Sequence, residues 1–225
     1  MEYIQRNINI LKDRIFSVCN KIGRSPEEIF ILPITKGVDV NKIKYLYDLG
    51  FKEFGENRVK ETLYKYSYLP SDITWHLVGY LQSNKVKKAL EIYKVIQSID
   101  RISIIDEIDR RNVKIDVFVE FNCSGEENKH GFVVEMWKEV FDYVLSKKNL
   151  NVIGIMTLGP YPVSENTSRR TFEKLRNIRD KLRNEYKLEL KLSMGMSEDF
   201  EYAIMEGADI IRIGRLIFDE SFNIK

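Results

Sequence analysis

The sequence predicts an α/β fold, a (β/α)8 barrel of the TIM type that forms one domain over residues 1–225, with an extra N-terminal helix. Short apolar runs alternate with amphipathic helical stripes, which is typical of right-handed βαβ units and a parallel sheet. About eight such units occur, and that number favours a closed barrel over an open sheet. The length of 225 residues also suits a single-domain α/β barrel.

The first element is the extra helix. Apolar residues step by three and four from Ile4 to Ile22, and the helix ends near Gly23. After the last strand only a short tail follows, from Arg215 to Lys225. The N-terminal helix is therefore expected to cover the last groove of the barrel.

The strands are predicted from short, branched apolar runs, although Pro33 is unusual in a strand because it has no N–H group. In chain order they are Ile29–Ile34, Phe51–Gly55, Thr74–Gly79, Val95–Ile99, Ile115–Phe121, Val152–Met156, Leu190–Ser193 and Asp209–Gly214. The helices between them are marked by apolar stripes over 43–49, 59–66, from about 84, and over 102–110, 137–145, 172–186 and 200–206.

The composition excludes several classes of protein. The net charge of +2 gives no global signal for binding nucleic acid or a membrane. Neither a signal peptide nor a membrane-spanning apolar run is recognisable, so we expect a cytoplasmic protein. Cys19 and Cys123 are expected to stay reduced, and two cysteines with two distant histidines form no metal-binding pattern.

Polar, small and cationic residues collect where the predicted strands end, whereas the strand interiors are apolar. In a (β/α)8 barrel the site lies at the C-terminal ends of the strands. Those ends are residues 35–37, 55–57, 79–85, 122–126, 156–157, 193–197 and 212–215. We therefore expect a small-molecule site at this rim.

Lys36 directly follows the first strand and allows two interpretations. Its aliphatic stem could lie along apolar surface while the ammonium reaches solvent. Alternatively, a desolvated ammonium has a lowered pKa and becomes a nucleophile that forms Schiff bases. Position alone does not decide between them.

The last two strand ends favour a phosphate site. Loops after strands seven and eight of such barrels frequently bind phosphate. Here they are 193–197 and 212–215, where glycines permit close backbone approach and N–H groups, the Ser197 hydroxyl and arginines can meet phosphate oxygens. The alternative is that both are glycine turns in tight connections.

Other polar residues have simpler interpretations. His76 alternates with Trp75 and Leu77 in a strand and is interpreted as structural. The stretch 169–183 mixes basic, acidic and apolar residues, as the solvated face of a helix does. No carboxylate at a strand end stands out as a general base, with Glu56 the one candidate.

Taken together, the strand ends resemble those of the pyridoxal phosphate homeostasis proteins (the YggS/PROSC family), whose barrel is similar to the N-terminal domain of bacterial alanine racemase. The segments around 75–85 and 193–200 are long and specific. The matching segments are Ile34–Lys36, Phe54–Asn57, Trp75–Gly79 with Leu81–Lys85, Asn122–Glu126 with Lys129 and Gly131, Gly154–Thr157, Leu192–Ser197 with Asp199–Phe200, and Arg212–Gly214.

The resemblance implies that the protein binds pyridoxal 5′-phosphate (PLP) as a Schiff base on Lys36. Arg212 is implied to lie near the pyridine nitrogen, and the ring pocket is lined by Asn57 and Met156. The phosphate would be held by Ser197, Gly214 and the backbone of Arg215.

Three positions depart from the family pattern. Gly37-Val38-Asp39 replaces a frequent lysine-proline pair, Asp219 replaces a frequent glycine, and Arg215 replaces a small hydroxyl residue. Only Arg215 affects the assignment, because it removes a hydroxyl contact to phosphate while its N–H group remains.

The resemblance favours a PLP carrier over an enzyme. An arginine at the ring nitrogen disfavours the pyridinium that strong PLP catalysts use. Racemases with this arginine take a second base from a C-terminal β domain, and this chain ends at Lys225, soon after its last strand. We expect a monomer that acts in intracellular vitamin B6 homeostasis without turnover, with PLP-dependent apoenzymes as acceptors. The alternatives are an amino-acid racemase of low activity, a phosphosugar isomerase that uses Lys36, and a regulatory binding protein.

Overall fold

Eight parallel strands form one sheet that curves into a nearly closed barrel, as the sequence predicts. The fold comes from a computed structural model, and the structure describes residues 1–221. The last residues of the predicted tail, 222–225, lie outside the described residues. The strands are β1 Phe30–Pro33, β2 Glu53–Glu56, β3 Thr74–Leu77, β4 Val95–Ile99, β5 Ile115–Glu120, β6 Leu150–Met156, β7 Lys191–Ser193 and β8 Ile210–Ile213.

The barrel closes between β1 and β2. The sheet order runs from β1 through β8, β7 and so on to β2, so these two strands are its edges. They meet in a single parallel bridge between Ile34 and Gly55, where the Thr35 N–H donates to the Gly55 carbonyl over 2.9 Å. Pro33 is the last residue of β1 and pairs there with Ile213, so the proline lies at the end of the strand and not within it.

Nine helices surround the described barrel. Each strand is followed by one helix, and α1 precedes the first strand. Their bounds are α1 Glu2–Ile22, α2 Val40–Asp48, α3 Val59–Tyr66, α4 Val86–Ile92, α5 Ile102–Asp109, α6 Trp137–Leu145, α7 Glu165–Tyr186, α8 Phe200–Met205 and α9 Arg215–Phe218. Three single 3-10 turns lie at Pro26–Glu28, Ser83–Lys85 and Val134–Met136.

Helix α1 covers the groove beside α8 and α9, which confirms its predicted role. Its buried stripe runs from Ile4 to Val18, and Gly23 ends it in the left-handed conformation that glycine adopts without strain. The buried Asn7 side chain donates to the carbonyl groups of Ile217 and Asp219 over 3.2 and 2.9 Å. Polar contacts thus fix where α1 sits on the last helix.

Two elements differ from the sequence prediction. Within the short tail that follows β8, Arg215–Phe218 forms α9, a helix that the sequence did not predict because four residues are too few to show a periodic pattern. Helix α7 begins at Glu165 rather than near Phe172, because Ser164 caps it by accepting a hydrogen bond from the Thr167 N–H group. The buried side chains of its first turns are the small Ser168 and Thr171, so no apolar stripe marks them.

The core has two layers. A large apolar layer lies between the strands and the helices. Inside the barrel a smaller apolar cluster comprises Leu32, Ile34, Val95, Phe118, Met156 and Ile210. The rest of the interior is polar, since His76, Gln97, Ser193, Glu120 and Arg212 are all buried. No helix within residues 1–221 is long and apolar enough to cross a membrane.

Candidate functional site

Lys36 lies at the C-terminal mouth of the barrel, on the turn that follows β1. Its side chain is exposed, and within residues 1–221 it forms no hydrogen bond or ion pair. The mouth is therefore open to a molecule that reaches Nζ. The Schiff-base interpretation of Lys36 assumed a desolvated ammonium. In this structure the Lys36 side chain is exposed, so a bound ligand would have to supply that desolvation.

A buried ion pair supports the turn that carries Lys36. Lys65 on α3 donates from Nζ to the Thr35 carbonyl, to Glu56 and to Glu61, each over 2.6 Å. Lys65 is only 3% exposed and Glu56 is fully buried. Glu61 in turn accepts a 2.5 Å hydrogen bond from the Gly37 N–H group, where the backbone φ of 69° suits a glycine. Sequence reasoning missed Lys65, although it lies three residues after Thr62 on the inward side of α3.

Glu56, the candidate general base, is engaged in this ion pair. Its Oε1 atom accepts hydrogen bonds from Lys65 and from the Thr35 hydroxyl, both 2.6 Å long. Burial raises the pKa of Glu56, while these two hydrogen bonds act in the opposite direction. Its other oxygen is buried without a partner among the described residues. The arrangement makes Glu56 a support for the β1 turn rather than an accessible base.

Arg212 lies in β8, next to the C-terminal end of the strand, and is buried inside the barrel below the rim. It is 3% exposed, and its two terminal nitrogens donate to the Ser193 hydroxyl and the Thr157 carbonyl, both over 2.8 Å. Burial lowers the pKa of Arg212 to about 10, with the charges of Glu120 and Asp199 opposing that shift. The guanidinium is therefore still a cation near neutral pH, held in one orientation by strands β6 and β7.

Glu120 is another buried ionisable group at the rim. It is the last residue of β5, level with Met156 on β6, and only 4% exposed. Burial, and then the neighbouring charge of Asp100, raise the pKa of Glu120 to about 7, while Arg212 acts in the opposite direction. The prediction that no carboxylate at a strand end stands out besides Glu56 is thus wrong. The missed signal was the period-two alternation that points Asp116, Phe118 and Glu120 to one face of β5.

The loops after β7 and β8 come together, as the sequence predicts for a phosphate site. The Ser197 hydroxyl oxygen accepts a 3.3 Å hydrogen bond from the Leu216 N–H group in α9. Because the oxygen is the acceptor there, the hydroxyl hydrogen remains available to an anion. Gly214 lies immediately before α9, whose first N–H groups have no partner within the helix.

The Arg215 side chain points away from this position. Its guanidinium forms a 2.6 Å ion pair with Glu198, and the side chain is 74% exposed. Substitution of arginine for a small hydroxyl residue therefore places no buried charge beside Ser197. Only the Arg215 backbone is positioned to act with Ser197 and Gly214.

The two remaining predicted residues lie at other points of the rim. Met156 is fully buried in the inner cluster, one residue before the Thr157 carbonyl that holds Arg212. Asn57 is half-buried beside a cavity of about 430 Å³ between the ends of β2 and β3. Gly79 is required there, since an added Cβ would lie 2.5 Å from the Asn57 carbonyl oxygen. Within the described chain, no hydrogen bond joins Lys36 or Asn57 to the other predicted residues.

The structure also places the histidine, the cysteines and the basic helix that the sequence analysis interpreted. His76 is buried between Glu53 and Gln97, as a structural histidine would be. Cys19 and Cys123 are buried free thiols. The described residues contain no cluster of potential metal ligands. Arginines of α7 form ion pairs, for example Arg169 and Arg176 with Glu206, which fits a solvated helix face.

Comparison with known proteins identifies the family. The model of the alanine racemase N-terminal domain matches residues 35–221. The pyridoxal phosphate homeostasis protein of Aquifex aeolicus is 44% identical over 214 residues, which cover 92% of this chain and 94% of that protein. The chain belongs to the pyridoxal phosphate homeostasis protein family. The resemblance seen in the strand-end segments is thereby confirmed.

Solved structures of relatives share the fold. PipY of Synechococcus elongatus PCC7942, solved with PLP bound, superposes with a TM-score of 0.79 at 28% identity, over 92% of this chain and 99% of PipY. Alanine racemase of Clostridium difficile superposes with a TM-score of 0.73 at 17% identity, over 99% of this chain and 62% of the racemase. The barrel of this family is therefore that of the alanine racemase N-terminal domain.

Proposed function

We propose that this protein binds PLP at the C-terminal mouth of its barrel and acts in intracellular vitamin B6 homeostasis as a carrier without catalytic turnover. The observation that carries the proposal is the buried, oriented Arg212 below a rim that presents Lys36 and the paired loops at Ser197 and Gly214. Family membership and the PLP-bound structure of PipY support it.

The donor set fits the chemistry of PLP. When bound, PLP supplies an aldehyde that forms a Schiff base with an amine, an aromatic ring with a pyridine nitrogen, and a phosphate dianion. Lys36 offers an exposed amine at the mouth. Ser197 offers a hydroxyl hydrogen, and the backbone at Gly214 and Arg215 offers N–H groups for the phosphate. Asn57 and Met156 would line the ring.

Arg212 favours a carrier over a catalyst. Strong PLP catalysts keep the ring nitrogen protonated, so that the ring accepts electrons from the substrate. A cation fixed beside that nitrogen opposes its protonation. Arg212 stays charged near neutral pH and cannot turn away without losing its hydrogen bonds to Ser193 and Thr157.

The covalent attachment is tested by reduction. Incubation of the purified protein with PLP should give a visible absorption band, and borohydride should then fix one pyridoxyl group on Lys36. Lys36→Ala should lose both the band and the label, whereas Lys44→Ala, at an exposed lysine of α2, should keep them. An unchanged band in Lys36→Ala, with the label on another lysine, would show that the assignment is wrong.

The absence of turnover is tested with the same protein. Incubation of the PLP-loaded form with several single-enantiomer amino acids should give no racemisation above free PLP. Robust turnover that disappears in Lys36→Ala would replace the carrier with a racemase.

Three finer features belong to the proposal: a monomeric state, a cytoplasmic location and PLP-dependent apoenzymes as acceptors. The acceptor role is checked by mixing the loaded protein with such an apoenzyme and following its activity. Activation faster than with an equal concentration of free PLP is expected. Activation no faster than with free PLP would remove the acceptor role and leave PLP storage.

A further inference from the structure

A chain of buried hydrogen bonds crosses the interior of the barrel from Arg212 to the opposite end. Arg212 bonds to Ser193 over 2.8 Å, and Ser193 to Gln97 over 2.6 Å. Gln97 then meets His76 over 3.1 Å, and His76 meets Glu53 over 2.7 Å. We call these five residues the relay. They come from β8, β7, β4, β3 and β2, so the relay joins strands from opposite sides of the barrel.

The chemistry of the groups fixes the direction of every bond. Arg212 can only donate, so the Ser193 oxygen accepts from it and the single hydroxyl hydrogen goes to Oε1 of Gln97. The amide nitrogen of Gln97 therefore faces His76 and donates to its Nδ1 atom. His76 must then carry its hydrogen on Nε2, which donates to the Glu53 carboxylate.

All four hydrogen bonds therefore have the same direction: each residue donates to the next, from the buried Arg212 cation to the Glu53 carboxylate. The residues Arg212, Ser193, Gln97 and His76 are each at most 3% exposed, whereas the Glu53 side chain is 38% exposed. His76 and Glu53 line a cavity of about 620 Å³ at the N-terminal end of the barrel. The relay thus links the cation at the rim to a group that solvent reaches at the other end.

We propose that Ser193, Gln97 and His76 are positioning residues that fix the orientation of the Arg212 guanidinium toward bound PLP, with Glu53 as their anchor. This inference rests on the proposed function, because it gives the relay a role only where Arg212 meets the cofactor. A serine hydroxyl alone would hold Arg212 loosely, since it can rotate to other acceptors. With its hydrogen committed to Gln97, its lone pairs point to one place, and the guanidinium has one favoured position.

Gln97→Met tests the relay at its centre. The methionine keeps the volume and length of the side chain and removes both hydrogen-bonding groups. Ile96→Met is the matched control, because Ile96 is the neighbouring buried residue of β4 and lies outside the relay. Gln97→Met should weaken PLP binding roughly tenfold and move the maximum of the visible band, while borohydride still labels Lys36. Ile96→Met should match the wild type in both measurements.

Glu53 provides a second test at a position where substitution is tolerated, because its side chain is partly exposed. Glu53→Gln keeps an acceptor for the His76 hydrogen and should leave the band unchanged. Glu53→Leu removes the acceptor and should shift the band in the same direction as Gln97→Met. Nitrogen NMR of the PLP-free protein supplies a readout without cofactor. His76 should carry its hydrogen on Nε2 in the wild type and in Glu53→Gln, and change its tautomer population in Glu53→Leu.

The outcomes separate the two proposals. A wild-type protein that is labelled at Lys36, with Gln97→Met and Glu53→Leu identical to their controls in affinity and band position, overturns the relay and leaves the PLP carrier intact. A wild-type protein without any band overturns the proposed function. A His76 that carries its hydrogen on Nδ1 overturns the relay regardless of PLP binding.

Discussion

At the scale of single residues, the stability of the rim depends on a buried ion pair. Lys65 and Glu56 lie 2.6 Å apart below the turn of Lys36, and neither reaches solvent appreciably. Removing one partner of such a pair leaves the other charge buried and uncompensated, which costs about 3–5 kcal/mol. Replacing both by apolar groups of similar size is often neutral.

Lys65→Met should therefore lower the free energy of unfolding by about 3–5 kcal/mol, measured by urea denaturation. Lys60→Met, at an exposed lysine of the same helix, should change it by less than about 0.5 kcal/mol. The double variant Lys65→Met/Glu56→Leu should recover a large part of the loss. Equal stability of the single variant and the wild type would show that the pair contributes nothing.

Glu120 gives a prediction on pH. Burial raises the pKa of Glu120 in the folded protein from an ordinary 4.5 to about 7. Between these values the folded state holds a proton that the unfolded state has released, so stability falls as pH rises from about 4.5 to about 7. The stabilisation is complete below the lower value and lost above the higher one, and amounts to about 3 kcal/mol.

Glu120→Gln should remove this loss, because glutamine has nearly the same shape and does not titrate. The measurement compares the free energy of unfolding at pH 5 and pH 8 for the variant and the wild type. Glu127→Gln, at an exposed loop position, should keep the wild-type difference. The same pH difference in Glu120→Gln and in the wild type would mean that Glu120 is ionised throughout this range.

Sequence reasoning found the rim residues that can be recognised from their own position in the chain, without knowledge of their partners. Lys36 and Arg212 stand at strand ends, and each carries a charge next to an apolar run. Lys65 and Gln97 were not found, and Ser193 was assigned only to the predicted phosphate loop, because the roles of these residues depend on partners distant in the chain. Ser193 and Gln97, for example, are 96 residues apart and meet only when the barrel closes.

At the scale of elements, the sequence predicted all eight strands and the helices between them, because strands buried on both faces and helices with one apolar stripe differ in length and period. It failed where an element is very short or begins in polar residues. Helix α9 has four residues, and the first turns of α7 bury only small side chains. Caps and tertiary contacts set those boundaries, and these leave little trace in periodicity.

The contact of α1 with α9 gives the element-scale prediction. Asn7 is buried and donates to two carbonyl groups after the start of α9, at Ile217 and Asp219. Asn7→Ala would leave these carbonyls without that donor, which costs about 1–3 kcal/mol. We expect urea denaturation to show that loss of stability. Amide hydrogen exchange in α9 should be faster in Asn7→Ala than in the wild type, whereas exchange in α5 should change less. Asn9→Ala, at an exposed position of the same helix, should show neither effect. Unchanged exchange in Asn7→Ala would mean that apolar packing alone holds α9.

At the scale of the whole molecule, the residues proposed to hold PLP come from distant parts of the chain. They lie at or near the C-terminal ends of β1, β2, β6, β7 and β8. A ligand that contacts all of these ends binds only the folded barrel, since the unfolded chain cannot bring them together. PLP should therefore stabilise the barrel as a unit, by an amount set by its concentration relative to the dissociation constant.

At one hundred times the dissociation constant, this stabilisation is about 2.7 kcal/mol, which should raise Tm by roughly 5–10 °C for a domain of this size. The Ser197 hydroxyl makes one charge-assisted bond to the phosphate in this proposal, so Ser197→Ala should weaken PLP binding by roughly 10- to 100-fold. At the same PLP concentration, about 0.4–1.4 kcal/mol of stabilisation should then remain.

Pyridoxal, which has no phosphate, separates a phosphate contact from a general defect. Thermal denaturation of the wild type and of Ser197→Ala should show the same, smaller shift with pyridoxal, and different shifts with PLP. Ser67→Ala, at an exposed serine after α3, should behave as the wild type with both ligands. Because Ser197 also accepts a hydrogen bond from Leu216, the ligand-free Tm of each variant serves as its own baseline. Equal losses with PLP and pyridoxal in Ser197→Ala would show that the loops after β7 and β8 are structural turns, and that the phosphate lies elsewhere.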